Sequence, residues 1–147
     1  MSVSTLLLTC GCSEEKESIV GKLREQKVPI ERSWSGKILI AKSDQLTAGR
    51  GLITSKEEWA KIWRAVRRRE SLPTVDFEKE LVLVSVGSDP NKIIIVPTLD
   101  KKGDLQVSVM KTLLHHKNPT TCFYRFAVIK REGIKTIHGE PFGPANR

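Results

Sequence analysis

Apolar side chains recur through residues 55–70 with the spacing of one helix face. They stand at i, i+3, i+4 and i+7, namely Trp59, Ile62, Trp63 and Val66, and this pattern is typical of an amphipathic helix. Ser55 and Glu58 form an S-x-x-E capping box at its start. Pro73 follows its end, where proline is common. The pattern predicts a helix over about 56–70 with Trp59 and Trp63 facing the interior.

The segments after the helix have the patterns of strands. Residues 79–87, "KELVLVSVG", are an almost continuous aliphatic run, which at this length predicts a central strand buried on both faces. Further strands are predicted over 37–43, 49–55, 92–99, 105–112, 120–131 and 134–139. Because short turns join them, we predict an α+β fold: a mainly antiparallel sheet of about six or seven strands packed against one amphipathic helix.

The N-terminal stretch "LLLTCGCSEE", residues 6–15, joins a leucine run, two cysteines and an abrupt change to charge. It fits a bacterial export signal whose beginning is missing, so residues 1–12 are a candidate truncated lipoprotein signal. Cys12, or failing that Cys10, is then the lipidated residue, and residues 13–36 form a polar tether. The alternative is an ordinary cytoplasmic N-terminus. The remaining chain divides into a single α+β domain over 37–138 and a C-terminal tail over 139–147.

Positive charge is in excess, with 25 Lys and Arg against 17 Asp and Glu, a net charge of +8. Such a balance favours anionic partners. Lys61, Arg64 and Arg68 lie on one face of the predicted helix, opposite the tryptophans. They are a candidate binding surface for an acidic protein, with nucleic acid as the alternative partner. The simpler interpretation is a solvated helix face whose arginines suit the helix dipole. Without a recognised nucleic-acid motif, the nucleic-acid alternative is the weaker one.

Catalytic and metal-binding patterns are sparse in the sequence. The three histidines, His115, His116 and His138, and Cys122 have no standard zinc spacing. Cys122 with a histidine is the only candidate nucleophile pair, but its place inside a predicted strand indicates a buried, inert thiol. We therefore expect no metal, no cofactor and no small-molecule substrate, and a Cys-His hydrolase remains the enzymatic alternative.

The string "SKEEWAKIWRAV…LPTVDFEKELVLVSVG" resembles the C-terminal domain of PrcB-like proteins, named for a lipoprotein that stabilises a surface protease complex. The resemblance spans roughly residues 50–131 and is carried by nine residues: Trp59, Trp63, Pro73, Val75, Asp76, Phe77, Lys79, Glu80 and Gly87. Asp76 and Phe77 are interpreted as structural, because the carboxylate can accept backbone N–H groups in a turn. The chain departs from the family after Pro90, where Asn91, Lys92 and Ile93 stand in place of a Gly-Gly-Tyr.

The resemblance implies a non-catalytic domain, exported or tethered to a surface, that binds another protein. Together with the N-terminal pattern it predicts a lipid-anchored protein of the bacterial cell envelope that binds or stabilises another envelope protein.

Overall fold

The computed structural model describes residues 25–47, 51–88, 92–112 and 120–141. Within these ranges the chain forms nine strands, two α-helices and one 3₁₀ turn at Ile40–Lys42. The strands are β1 (Gln26–Lys27), β2 (Ile30–Leu39), β3 (Leu52–Ile53), β4 (Glu80–Ser88), β5 (Ile93–Leu99), β6 (Asp104–Lys111), β7 (Thr121–Lys130), β8 (Thr136–Ile137) and β9 (Glu140–Pro141). The helices are α1 (Asp44–Thr47) and α2 (Lys56–Val66).

The strands form two sheets. The four-stranded sheet has the order β2-β7-β4-β3, and the five-stranded sheet has the order β1-β5-β6-β8-β9. All pairings are antiparallel except the short parallel pairing of β6 with β8. The predicted α+β class with mainly antiparallel sheets is confirmed at this level.

The central strands of the four-stranded sheet, β4 and β7, are buried on both faces. Along β4, Val82 and Val84 belong to one buried cluster beneath α2, which we call the helix-side cluster. Leu81 and Leu83 belong to a second cluster against the five-stranded sheet, which we call the inter-sheet cluster. Because successive side chains of a strand point to opposite faces, this division places the four-stranded sheet in the middle of three layers. The prediction that residues 79–87 are buried on both faces is confirmed by side chains that expose 9% or less over Leu81–Val84.

The N-terminal boundary of the domain was predicted too late. Residues 26–36, assigned to a polar tether over 13–36, lie largely in strands, and β2 pairs with β7 from Ile30 to Leu39. The alternation of apolar and polar residues that indicates a strand is interrupted here, because two positions on the helix-facing side, Arg32 and Gly36, are not apolar. Gly36 is required there, since a Cβ would come within 2.5 Å of the Tyr124 hydroxyl.

The C-terminal boundary was predicted too early. Glu140 and Pro141, assigned to a tail over 139–147, form β9 and pair with β8. The tight turn between them has positive φ at His138 and Gly139, 50° and 79°, which is the backbone of a two-residue hairpin turn. Residues 142–147 and the predicted signal over 1–12 lie outside the described residues.

The helix and strand counts also differ from the prediction. The described residues form nine strands in two sheets rather than six or seven in one, and the short helix α1 accompanies α2. Helix α2 ends at Val66, before the expected end near 70, because Arg67 leaves helical geometry with φ −133° and ψ 53°. Among the described residues, no helix has the length and hydrophobicity needed to cross a membrane.

Candidate functional site

The inner face of α2 packs through a cluster of aromatic rings. The ring centroids of Trp59 and Trp63 lie 5.1 Å apart, and Trp59 meets Phe126 of β7 edge to face at 5.1 Å. Trp34 of β2 completes the cluster at 5.8 Å from Trp59 and 5.5 Å from Trp63. Trp59 and Trp63 are almost wholly buried, so the predicted orientation of the helix is confirmed. Trp34 had been assigned to the tether.

Both buried indoles also make directional bonds. Trp59 Nε1 donates to the carbonyl of Pro73 at 3.0 Å, and Trp63 Nε1 donates to the carbonyl of Glu70 at 3.4 Å. A buried indole N–H needs such a partner, because leaving it unpaired is costly. The two bonds attach the segment after the helix to the helix itself.

The start of α2 has the expected cap. Ser55 Oγ accepts the backbone N–H of Glu58 at 3.3 Å, and Ser55 itself is extended, as an N-cap residue is. Burial of the Glu58 carboxyl raises its pKa, against the opposing effects of a backbone hydrogen bond at Thr54 and of Lys61. The cap therefore fixes where the helix begins and where its outer face points.

Arg67 fixes the other end of the helix. Its Nε donates to the Tyr124 hydroxyl at 2.9 Å, and its Nη2 donates to the carbonyl of Ser35 at 2.7 Å. Its guanidinium also pairs with Glu70 at 2.6 Å and lies over the Trp63 ring at 5.2 Å. In the fold Arg67 joins the end of α2 to β2 and β7.

The predicted binding residues lie on the outer side of this element. Lys61 and Arg64 are exposed on α2, and Arg68 is exposed in the turn that follows. We call these three residues the cationic surface. Arg68 had been predicted on the same helical face, which is wrong because the helix ends at Val66. Arg64 and Arg68 form no ion pair with any residue of the described ranges.

Acidic groups border the cationic surface on one side. A hollow of about 360 Å³ beside α2 is lined by Asp44, Glu58 and Lys61 together with apolar helix residues. A second hollow of about 640 Å³ includes Glu57 beside Lys61 and Arg64. Carboxylates therefore stand beside Lys61 in both hollows and beside Arg64 in the second, so the charge is mixed in that part of the surface.

The "VDFEKE" turn forms a hydrogen-bonded network. Asp76 Oδ1 accepts the backbone N–H of Glu78 at 3.2 Å, as predicted for a structural turn. Glu80 accepts both the backbone N–H of Asp76 at 3.0 Å and the Arg32 guanidinium at 2.7 Å. Phe77 packs against the helix-side cluster. These contacts fix the turn at the entrance to β4, so Asp76 and Phe77 act as structural residues.

Of the residues proposed for a Cys-His pair, the structure describes Cys122 and His138, and it places them in different sheets. Cys122 is buried in the helix-side cluster, and burial raises the pKa of its thiol. His138 lies in the β8–β9 turn of the other sheet, while His115 and His116 lie outside the described residues, as do Cys10 and Cys12. Within the ranges described, no three His, Cys, Asp or Glu side chains are grouped to hold a metal ion.

Sequence reasoning missed Arg125, which stands between the two sheets. Its Nη1 donates to the carbonyl of Ile93 at 2.9 Å and its Nη2 donates to Ser33 Oγ at 3.3 Å. Its Nε is buried and has no partner within the described part of the chain. The signal in the sequence is a charged residue that shares a strand face with two apolar ones, Phe123 and Ala127. Both of these pack in the inter-sheet cluster.

Comparison of the chain with protein-family models, with curated proteins and with solved structures found no match.

Proposed function

We propose that this protein is a non-enzymatic binding module of the bacterial cell envelope, held at the membrane by a lipid on Cys12 or Cys10, that binds or stabilises another envelope protein. The N-terminal pattern "LLLTCGCSEE" supports the anchor. The likeness of residues 50–131 to PrcB-like domains supports the binding role. The proposal includes no cofactor and no small-molecule substrate.

The observation that carries the proposal is that the cationic surface lies on and beside α2, a helix fixed by packing and hydrogen bonds on its inner side. Arg64 and Arg68 flank the end of α2, which Arg67 joins to two strands and which two buried tryptophans hold against the sheet. Because the inner side of α2 is fixed by these contacts, a partner that binds the charges on its outer side need not order the backbone, which lowers the entropic cost of binding. Their sign favours an acidic protein surface.

Nucleic acid is the less favoured partner, because the sequence carries no recognised nucleic-acid-binding motif. The hydrolase alternative is disfavoured by Cys122, since a thiol whose pKa is raised by burial is a poor nucleophile.

Cross-linking in membranes of the native host tests the binding role. Charge reversal at Arg64→Glu and Arg68→Glu should reduce capture of a specific protein. Lys101→Glu with Lys102→Glu is the matched control, because both lysines are exposed and the change in net charge is the same. Rising salt should weaken capture, since the Debye length falls from ~10 Å at 0.1 M to ~3 Å at 1 M. Equal loss in both double variants would contradict a specific surface.

Two further measurements separate the alternatives. Mass spectrometry of the protein from its host should find an acylated N-terminal cysteine, and an unacylated Met1 in the soluble fraction would rule the anchor out. Purified protein should hydrolyse neither esters nor peptides and should bind neither DNA nor RNA at physiological salt. Turnover lost in Cys122→Ser, or tight salt-sensitive nucleic-acid binding, would overturn the proposal.

A further inference from the structure

The edge of the five-stranded sheet carries a cleft on the side away from α2. Its volume is about 510 Å³, and the described residues that line it are Lys27, Val28, Pro29, Ile30, Ile94, Ile95, Val96 and Arg125. These residues are apolar except for two cations, and none of them is acidic. The cleft forms because β1 pairs only with Leu99 and Thr98 before the chain crosses to β2 at Pro29.

The backbone of β5 is open along this cleft. Pro97 has no N–H, and its carbonyl accepts the N–H of Val28 at 2.9 Å, so its backbone groups point away from β6. Because this direction alternates along an antiparallel pair, the backbone groups of Ile95 and Ile93 also point away from β6. The Ile93 carbonyl is taken by Arg125. The N–H and C=O of Ile95 are left without a backbone partner among the described residues.

The side chains at this edge form an aliphatic group on the outer face of the sheet and a cationic group elsewhere. Ile94 and Val96 are half-buried on the outer face of the sheet. Arg125 stands at the inner side, where its Nε has no partner among the described residues, and Lys27 is exposed at one end. A strand added here would present alternate side chains to these two sides. One set would meet the guanidinium, and the other set would lie on the two aliphatic side chains.

We propose that this edge binds an extended segment of a partner protein in which acidic and apolar residues alternate. The segment adds as a strand beside β5, pairs with the N–H and C=O of Ile95, and directs a carboxylate to Arg125. Strand addition of this kind obtains affinity from the main chain and specificity from alternate side chains. The inference goes beyond the proposed function, since it concerns a different surface and requires neither the anchor nor the cationic surface.

A capped hexapeptide that alternates valine with glutamate is the probe. Titrated into the ¹⁵N-labelled full chain, it should shift the amide signals of residues 93–96 saturably, with the largest shift at Ile95. A valine–glutamine hexapeptide keeps the shape without the charge and should bind on the order of tenfold more weakly, as a loss of one charge pair in a partly buried site implies. A version with proline at a central position, which lacks one N–H, should also bind more weakly.

Protein variants give the complementary test. Lys27→Glu should weaken binding on the order of tenfold, whereas Lys102→Glu, at the exposed β5–β6 turn, should leave it unchanged. Arg125→Lys keeps the charge and loses Nε, so it should weaken binding too, and the peptide series remains decisive if that variant does not fold.

Several outcomes would overturn the inference. They are equal binding of the glutamine or a valine–lysine peptide, shifts that map away from β5, and absence of binding. A stable dimer in sedimentation that Lys27→Glu dissociates would assign the edge to a second copy. None of these bears on cross-linking through Arg64 and Arg68, so the two proposals fail separately.

Discussion

The two faces of the four-stranded sheet are packed by different chemistry. The helix side is aromatic and directional: Trp59, Trp63 and Tyr124 bury large rings while their N–H or O–H groups bond to named partners. The inter-sheet side is almost wholly aliphatic, with Leu81, Leu83 and Ile129 among its buried members. Aliphatic packing is non-directional and depends on filled volume. The helix side therefore specifies one orientation of α2, whereas the inter-sheet side supplies burial.

The largest test of this contrast removes a whole side chain from each face. Trp59→Ala should lower the free energy of unfolding by roughly 3–5 kcal/mol and Leu83→Ala by roughly 2–5 kcal/mol. Denaturant melts of both variants measure this. Trp59→Phe keeps an aromatic ring on the helix side but should still destabilise the protein, because it loses the hydrogen bond to the Pro73 carbonyl in addition to side-chain volume. A Trp59→Ala protein as stable as the wild type would mean that α2 is packed otherwise.

The next test concerns the arginine that joins the helix to two strands. Arg67→Lys keeps the charge but cannot serve Tyr124 and Ser35 with separate nitrogens, so it should cost roughly 1.5–3 kcal/mol. Arg68→Lys, which is exposed and outside this network, is the control and should lie within about 0.5 kcal/mol of the wild type. Equal costs would show that the network contributes nothing.

A smaller effect is expected at the start of α2. Ser55→Ala removes the acceptor for the Glu58 N–H and should cost about 1 kcal/mol. Ser71→Ala, at an exposed position after the helix, should cost nothing measurable. If Ser55→Ala matched Ser71→Ala, the helix start would be fixed by the tryptophans alone.

The smallest effect is a difference in pH dependence between the two sides. On the helix side, burial raises the pKa of Glu58, so its contribution is present at low pH and is lost as pH rises through the folded pKa. Beside the other sheet, hydrogen bonds from Thr136 and Gly139 lower the pKa of Asp104, so its contribution is lost as pH falls.

Unfolding measured across the acid range in two variants tests these signs. Glu58→Gln should gain stability relative to the wild type as pH rises, and Asp104→Asn should lose it. Changes of the same sign in both variants would contradict the assignment.

The parts of the fold that the sequence predicted are those where pattern and contact coincide. Ser55, Trp59 and Trp63 have the spacing of a capped amphipathic helix and take those roles. Residues 81–84 are aliphatic without interruption because both faces of β4 are covered there. By contrast, residues 30–36 of β2 were missed because its helix-facing positions include Arg32, paired with Glu80, and Gly36, fitted to Tyr124. The division into two sheets depends on contacts between distant residues, which no local pattern contains.

The candidate site divides in the same way. Exposure of Lys61 and Arg64 followed from helical spacing, whereas the helix end at Val66 did not, because it depends on the reach of Arg67 to Ser35 and Tyr124. The cleft beside β5 could not be predicted, since it is formed by a strand that ends early and an arginine from the opposite sheet.

The place of β7 in the middle of the four-stranded sheet has a consequence for how the chain folds. Its partners are β2, near the start of the described chain, and β4. Trp34 must therefore reach Phe126 before the β2 edge of the sheet can close, whereas β3 pairs with β4 alone. Such distant pairings place a domain among slow folders, with times on the order of milliseconds to seconds. During synthesis, β2 leaves the ribosome long before its partner exists. The sheet can form only once residues up to Lys130 have emerged.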